Sequence, residues 1–160
     1  MNLEINSGAY EGMFDFGGLS LTNLDINDGA ADVTINFSSP NQSEMETFRY
    51  DTGASNVKIE NLANANFSVF DFSSGAGDYT LDFSGEWQRD ATVKIESGLS
   101  NVILIVPEGV NVIATVEGGA LNVSANSSWN QDGNIYRKDG QGIKLTIVIE
   151  MGAGNLTLTD

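Results

Sequence analysis

The sequence contains neither cysteine nor histidine among its 160 residues. Without them a disulfide, a thiolate zinc site, a cysteine nucleophile and a Ser-His-Asp triad are all excluded. Basic residues are also few, since 7 lysines and arginines face 22 acidic residues and give a net charge of −15. Phosphate binding needs clustered basic side chains, so nucleic acid is excluded as a partner. An anionic membrane surface would repel such a chain.

Long apolar segments are missing as well. No run approaches the roughly 20 apolar residues that span a bilayer, so direct membrane insertion is not predicted. The N-terminus, MNLEINSGAY, has neither a basic start nor an apolar segment, and no signal peptide is visible. If the natural protein is exported or anchored, its signal or anchor is expected outside this sequence.

The sequence also has few features that predict helices. No stretch keeps apolar residues at helical spacing over three turns, and glycine occurs 18 times while proline occurs twice. Alternating stretches are frequent instead: Val33, Ile35 and Phe37, for example, alternate with polar residues. This pattern is typical of strands with one buried face. The sequence therefore predicts an all-β protein with many turns.

A short unit recurs along the chain: a glycine, a small residue, and then an alternating apolar strand. The copies read SGAYEGMFDF, DGAADVTINF, TGASNVKIEN, SGAGDYTLDF, SGLSNVILIV, GGALNVSA and MGAGNLTLTD. Successive copies are separated by 21, 24, 22, 23, 21 and 33 residues. Their leading glycines are Gly8, Gly29, Gly53, Gly75, Gly98, Gly119 and Gly152.

The regular spacing favours a β-solenoid, a parallel β-helix-like stack of about seven coils of ~22 residues each. Each coil is expected to hold two or three short strands joined at corners that need the glycine, with φ above zero there. The small residue beside each glycine lets neighbouring coils stack closely. An antiparallel β-sandwich with these units as hairpin loops is the alternative. In either case residues 1–160 are expected to form one domain.

The last interval is about ten residues longer than the repeat. The excess is assigned to residues 126–141, NSSWNQDGNIYRKDGQ, a polar stretch that also carries the most basic spot of the chain, Arg137–Lys138. An excursion loop or hairpin is predicted here. Terminal units of repeat arrays are commonly atypical, which favours a cap with Trp129 as its lid, and a binding role is the alternative.

One copy of the unit spells a motif of aspartic proteases. In YDTGAS, Asp51 would share a proton with a second aspartate and activate water. Gly53 and Ala54, however, stand where the other copies have their own glycine and small residue. Asp51 is therefore interpreted as a turn residue, and no catalytic, cofactor-binding or metal-binding residue is predicted.

The corner sequences resemble those of a bacterial family. The run SGAGDYTLDFSGEWQRDATVKIESGLSNVILIVPEGVNV is similar to the C-terminal domain of cell wall-active antibiotic response (Lia-type) proteins and to the related toast-rack, or putative-adhesin, domains. Leu81–Asp90 and Pro107 are its most specific parts, and the likeness extends from Ser7 to Gly154. It implies a stack of β-sheet and an extracytoplasmic or membrane-associated setting, without enzymatic activity. No ligand or catalytic residue can be carried over.

Some aromatic and polar residues could instead form a binding surface. Trp87, Trp129 and Tyr136, with Arg137 beside them, form the candidate interaction surface, since such aromatic side chains stack on sugar rings. Stacked acids and asparagines from adjacent coils would offer oxygen ligands for Ca²⁺.

The sequence thus predicts a non-enzymatic extracytoplasmic module in envelope-stress sensing or adhesion. Its partner would be a protein at the cell envelope or another copy of itself. A carbohydrate- or Ca²⁺-binding module is the first alternative, and a carboxylate-based hydrolase is the second.

Overall fold

β-Strands make up most of the computed structural model, which describes residues 1–160. The only helix is a short 3₁₀ turn at Leu62–Ala65, and no helix is long and apolar enough to cross a membrane. The strands are β1 (Asn2–Asp15), β2 (Asn23–Asn36), β3 (Met45–Glu60), β4 (Phe67–Asp82), β5 (Ala91–Ile105), β6 (Asn111–Ala125), β7 (Asn130–Asp132), β8 (Ile135–Lys138) and β9 (Lys144–Thr159).

These strands form one sheet in the order β1-β2-β3-β4-β5-β9-β6-β8-β7. Every pair between two long strands is parallel, which is not the pairing of an antiparallel sandwich. Only the short β7 and β8 pair antiparallel, with each other and with β6. The chain is therefore all-β with a mostly parallel open sheet, as the repeat predicts.

Each repeat contributes one long strand of 14 to 16 residues rather than two or three short ones. The repeated glycine lies in the middle of that strand, and the burial alternation changes phase there. In β2, Leu24, Ile26 and Asp28 are buried, two exposed residues follow, and burial resumes at Ala31. A regular strand alternates strictly, so the backbone must turn at this point to keep both halves facing one interior.

The prediction that these glycines have positive φ is wrong. Positive φ occurs instead at other glycines, among them Gly77 and Gly154, two residues after the repeated one. What the repeated position requires is room. A Cβ added to Gly53 would lie 2.5 Å from the carbonyl oxygen of Gly29, and one added to Gly75 would lie 2.8 Å from that of Gly53. The seven repeated glycines thus stack as a column across the sheet, named here the glycine column.

One hydrophobic cluster of 38 buried residues fills the interior. Aromatic side chains run through it in contact across strands: Phe37 packs on Phe48, and Phe48 stacks on Phe70 with ring centroids 4.6 Å apart. Burial of such large apolar side chains supplies most of the stabilisation, about 3–5 kcal/mol for each phenylalanine relative to alanine.

The two ends of the sheet differ. At one end, β7 and β8 form a hairpin that pairs with Val112–Thr115 of β6, and β9 returns between β5 and β6. At the other end, β1 pairs only with β2. None of its residues is fully buried, although their partners on β2 are: Leu3 pairs with Leu24 and Ile5 with Ile26.

The glycine column provides a matched pair of substitutions. Gly53→Ala is expected to lower the free energy of unfolding by about 1–3 kcal/mol, because its methyl group would overlap a backbone oxygen that cannot move freely. Gly8→Ala, at the open end, has no atom within 4 Å of the added Cβ and should leave stability within about 0.5 kcal/mol. Denaturant unfolding measures both, and equal effects would contradict the close-approach explanation.

Candidate functional site

The four residues of the candidate interaction surface do not form one exposed patch. Trp129 and Tyr136 are both 6% exposed and belong to the core cluster. Trp87 is half-buried, packing edge-on against Phe67 and stacking on Phe83. Only Arg137 is exposed. The sequence left both roles open and favoured a lid for Trp129, because an aromatic side chain in a polar stretch can cover either a core or a ligand.

The two basic residues of the hairpin differ in exposure, since Arg137 faces solvent and Lys138 is buried. Lys138 is 3% exposed, and its ammonium group donates to the carbonyl of Val106 at 2.7 Å and to the carboxylate of Asp160. It also lies 5.6 Å from the centre of the Trp129 ring. The contact with Lys138 is the main reason that the pKa of Asp160 falls to about 2. Lys138 therefore ties the hairpin to the body of the sheet, and a role of Arg137 in binding stays a prediction.

Asp51 has no second carboxylate beside it of the kind a protease would need. It lies mid-strand in β3 and pairs with Arg49 at 3.1 Å, both side chains being well exposed. Its cross-strand neighbours are Asn27 and Ser73. Exposed ion pairs of this kind contribute at most about 1 kcal/mol.

The buried aspartate of the molecule is Asp28, at the residue before the glycine of β2. Its Oδ2 accepts hydrogen bonds from the hydroxyls of Tyr50 at 2.7 Å and Tyr10 at 3.1 Å, and its Oδ1 accepts one from Thr52. Since the single proton of Thr52 is donated to Asp28, Ser55 must donate to Thr52, 2.5 Å away. Ser55 in turn accepts from the amide of Ala31 at 2.9 Å.

This corner network continues along the sheet. The residues before the glycine on successive strands are in register, so Thr52 is followed by Ser74 and then by Ser97. Ser74 donates to Ser97 at 2.9 Å, and Ser97 contacts Ser100 across the turn. The hydroxyls thus satisfy one another inside the turn, where an unpaired polar group would cost about 1–3 kcal/mol. These hydrogen bonds give the hydroxyls a structural role in the turn.

A second column runs along the outer face, three residues after each glycine. It holds Glu11, Asp32, Asn56, Asp78, Asn101, Asn155 and Asn122 in cross-strand register. Asn101 donates to Asp78 at 2.8 Å, and Asn155 donates to Asn101 at 2.8 Å. The signal for this ladder is present in the repeat itself, since every copy has an acid or an asparagine at that position.

Acidic side chains are unevenly distributed. Glu96, Glu150 and Glu117 lie side by side on β5, β9 and β6, and only Lys94 pairs with one of them, at 2.6 Å from Glu96. They border a shallow groove of about 530 Å³ with serines and glycines. No group of three or more acidic side chains is arranged to hold a metal ion, and Ca²⁺ binding stays a prediction.

Charged side chains at the β1 end of the sheet, the open end, are all acidic. Residues 1–48 contain eight acids and neither lysine nor arginine. On β1, Glu4, Glu11 and Asp15 all point outward and are exposed. Glu4 and Glu11 each pair with a further aspartate on β2, Asp25 and Asp32. The open edge is therefore anionic along its whole length.

Comparison with known proteins assigns the class. The family model for the N-terminal domain of toast_rack matches residues 1–60 and again residues 47–105. The chain belongs to the toast-rack family. The offset between the two matches is close to two repeat lengths, as from Gly8 to Gly53, which agrees with the internal repetition.

A solved structure shares the fold. The crystal structure of a putative cell adhesion protein from Clostridium sporogenes superposes with a TM-score of 0.61 at 17% identity, covering 98% of this chain and 91% of that one. A search of the curated proteins gives no match.

Two aspartates test the assignment of the corner network. Asp28→Asn replaces one acceptor oxygen with a donor and leaves a buried hydroxyl without its acceptor, so we expect a loss of about 1–3 kcal/mol in unfolding free energy. Asp51→Asn, the control in the protease-like motif, should change it by less than about 1 kcal/mol. The reverse order, measured by urea unfolding, would contradict a structural role for Asp28 and reopen that of Asp51.

The tyrosines of the network give a prediction for alkaline pH. Burial, and then the nearby charge of Asp28, raise the pKa of Tyr10 to about 12, and the pKa of Tyr50 is raised further for the same reasons. Because the folded state holds these protons more tightly, their contribution is complete below about pH 10, and that of Tyr10 is lost as pH rises through about 12. Ultraviolet titration of tyrosinate should show ionisation delayed relative to the urea-unfolded chain. Coincident titration curves would contradict the network.

Proposed function

We propose that this chain is a non-enzymatic, extracytoplasmic structural and protein-interaction module that works at the cell envelope, in stress sensing or adhesion. We further propose that its bent strands and loops wind as a β-solenoid of about seven coils, forming one domain in which the hairpin within residues 126–141 is the cap. The observation that best supports this proposal is that buried polar side chains form hydrogen bonds within the chain itself. Asp28, Thr52 and Ser97 are all bonded to other parts of the chain.

Two kinds of surface remain available to a partner, namely the unpaired edge of β1 and the outer faces of the sheet. The outer faces carry columns of short polar side chains in strict register, and β1 carries an unpaired strand edge. Such surfaces suit contact with another macromolecule over a wide area better than the enclosure of a small molecule. Membership of the toast-rack family and the shared fold with a putative cell adhesion protein support the same proposal.

The proposal is tested in intact cells of the source organism with the full-length protein. A photo-crosslinking residue placed at outer-face positions such as Thr92 or Ile103 should give a discrete adduct with a second protein, and a membrane-impermeant reagent should label the module without lysis. Labelling only after lysis would contradict the extracytoplasmic location. Absence of any protein adduct from every exposed position would contradict the interaction role.

A further inference from the structure

We propose that the open edge of β1 is a docking site for an extended, cationic segment of a partner protein, which would pair with it as an additional strand. The inference rests on the proposed interaction function and specifies where and with what chemistry that interaction occurs. Strand addition to an exposed sheet edge is a general mode of peptide recognition, in which main-chain hydrogen bonds supply affinity and side chains supply selectivity.

The first argument is incomplete burial. The inward side chains of β1 continue the core by one layer but are only partly covered, whereas their register partners one strand further in are fully buried. Phe14 pairs with Ile35, which is 0% exposed, and stacks on Phe16 at 5.7 Å between centroids. A strand added to β1 would cover Leu3, Ile5, Tyr10 and Phe14 as β1 covers β2.

The second argument is the unpaired backbone. β1 is 14 residues long and pairs with β2 along its length, so the hydrogen-bonding groups on its other side have no strand partner. Long open edges invite pairing and are usually blunted by a lysine, a proline or a covering element. β1 has no lysine and no proline, whereas the opposite end has the β7–β8 hairpin.

The third argument is charge, which selects the occupant. Glu4, Glu11 and Asp15 project from β1, and Asp25 and Asp32 lie beside two of them, with no basic side chain in residues 1–48. A second copy pairing edge to edge would bring these carboxylates together. A segment that alternates apolar with lysine or arginine residues would cover the apolar face and neutralise the acids. A shallow polar groove lined by Asn6, Ser7, Gly8, Asn27 and Asp28 lies at the same edge.

The test uses a synthetic peptide as long as β1 in which lysine alternates with valine. Isothermal titration should show binding at one site that weakens as salt screens the charges, and hydrogen exchange should slow in β1. A matched peptide with N-methyl groups on the amides of both edges keeps the charge but cannot donate to the ladder, and it should bind far more weakly. Equal binding of the two peptides would overturn strand addition.

Paired charge reversals locate the site. Glu4→Lys with Glu11→Lys should raise the dissociation constant several-fold. Glu117→Lys with Glu150→Lys changes the net charge by the same amount on exposed positions of β6 and β9, and it should have a much smaller effect. Equal losses in both double variants would reduce the binding to general electrostatics and overturn the assignment. A stable dimer in sedimentation, abolished by the β1 substitutions, would assign the edge to a second copy instead.

Crosslinking in cells separates this inference from the proposed function. Crosslinkers at Asn6 or Met13 on β1 should form the adduct, and Met13, 84% exposed, tolerates replacement without loss of packing. Adducts formed only from the outer faces would overturn the edge site while leaving the interaction function intact. No adduct from any position would contradict both.

Discussion

The close approach of neighbouring strands at the glycine column is the constraint on which the rest of the structure depends. At Gly53, Gly75 and Gly98 an added Cβ would lie only 2.5–2.8 Å from the carbonyl oxygen of the equivalent glycine one strand away, too close for a methyl group, and at Gly29, Gly119 and Gly152 it would lie 3.0 Å away. Only there can a long strand turn while keeping parallel hydrogen bonding to both neighbours. Because the turn occurs at the same position in every strand, the two halves keep their register, and apolar side chains from both face one interior.

That turn also explains the polar groups inside the molecule. In β3 and β5 the residue before the glycine and the residue two after it face each other across the turn. Thr52 with Ser55, and Ser97 with Ser100, fill these positions and bond to each other. Asp28 is accommodated because three hydroxyls converge on it. A buried carboxylate here is therefore part of the packing and not a sign of catalysis, whereas the protease-like Asp51 is a surface residue.

The repeat alone predicted the all-β class, the position of the turns and the interior face of each strand, because these follow from alternation and spacing. It did not predict that β9 enters between β5 and β6. The longer interval between the sixth and seventh glycines marks the position of the β7–β8 hairpin. The place of β9 in the strand order depends instead on which strand edge the chain can reach after the hairpin. The repeat also did not predict correctly which glycines have positive φ. Gly53 is required because a side chain there would clash with the backbone of the next strand, whereas Gly77 has a positive φ that other residues rarely adopt. The burial of Trp129 and Tyr136 depends on hairpin packing that local sequence does not encode.

Only the ends of a stacked sheet can offer backbone hydrogen bonds to another strand, because the middle strands are paired on both sides. Here one end is closed by the β7–β8 hairpin over the first half of β6, and Lys138 fastens that hairpin through Val106 and Asp160. The other end keeps an apolar layer half-covered and an edge whose charged side chains are all acidic. Self-pairing at this edge would cost electrostatic repulsion, and the same charge attracts a basic segment. The same charge therefore disfavours edge-to-edge pairing of two copies and, under the proposed strand addition, favours a partner segment of opposite sign.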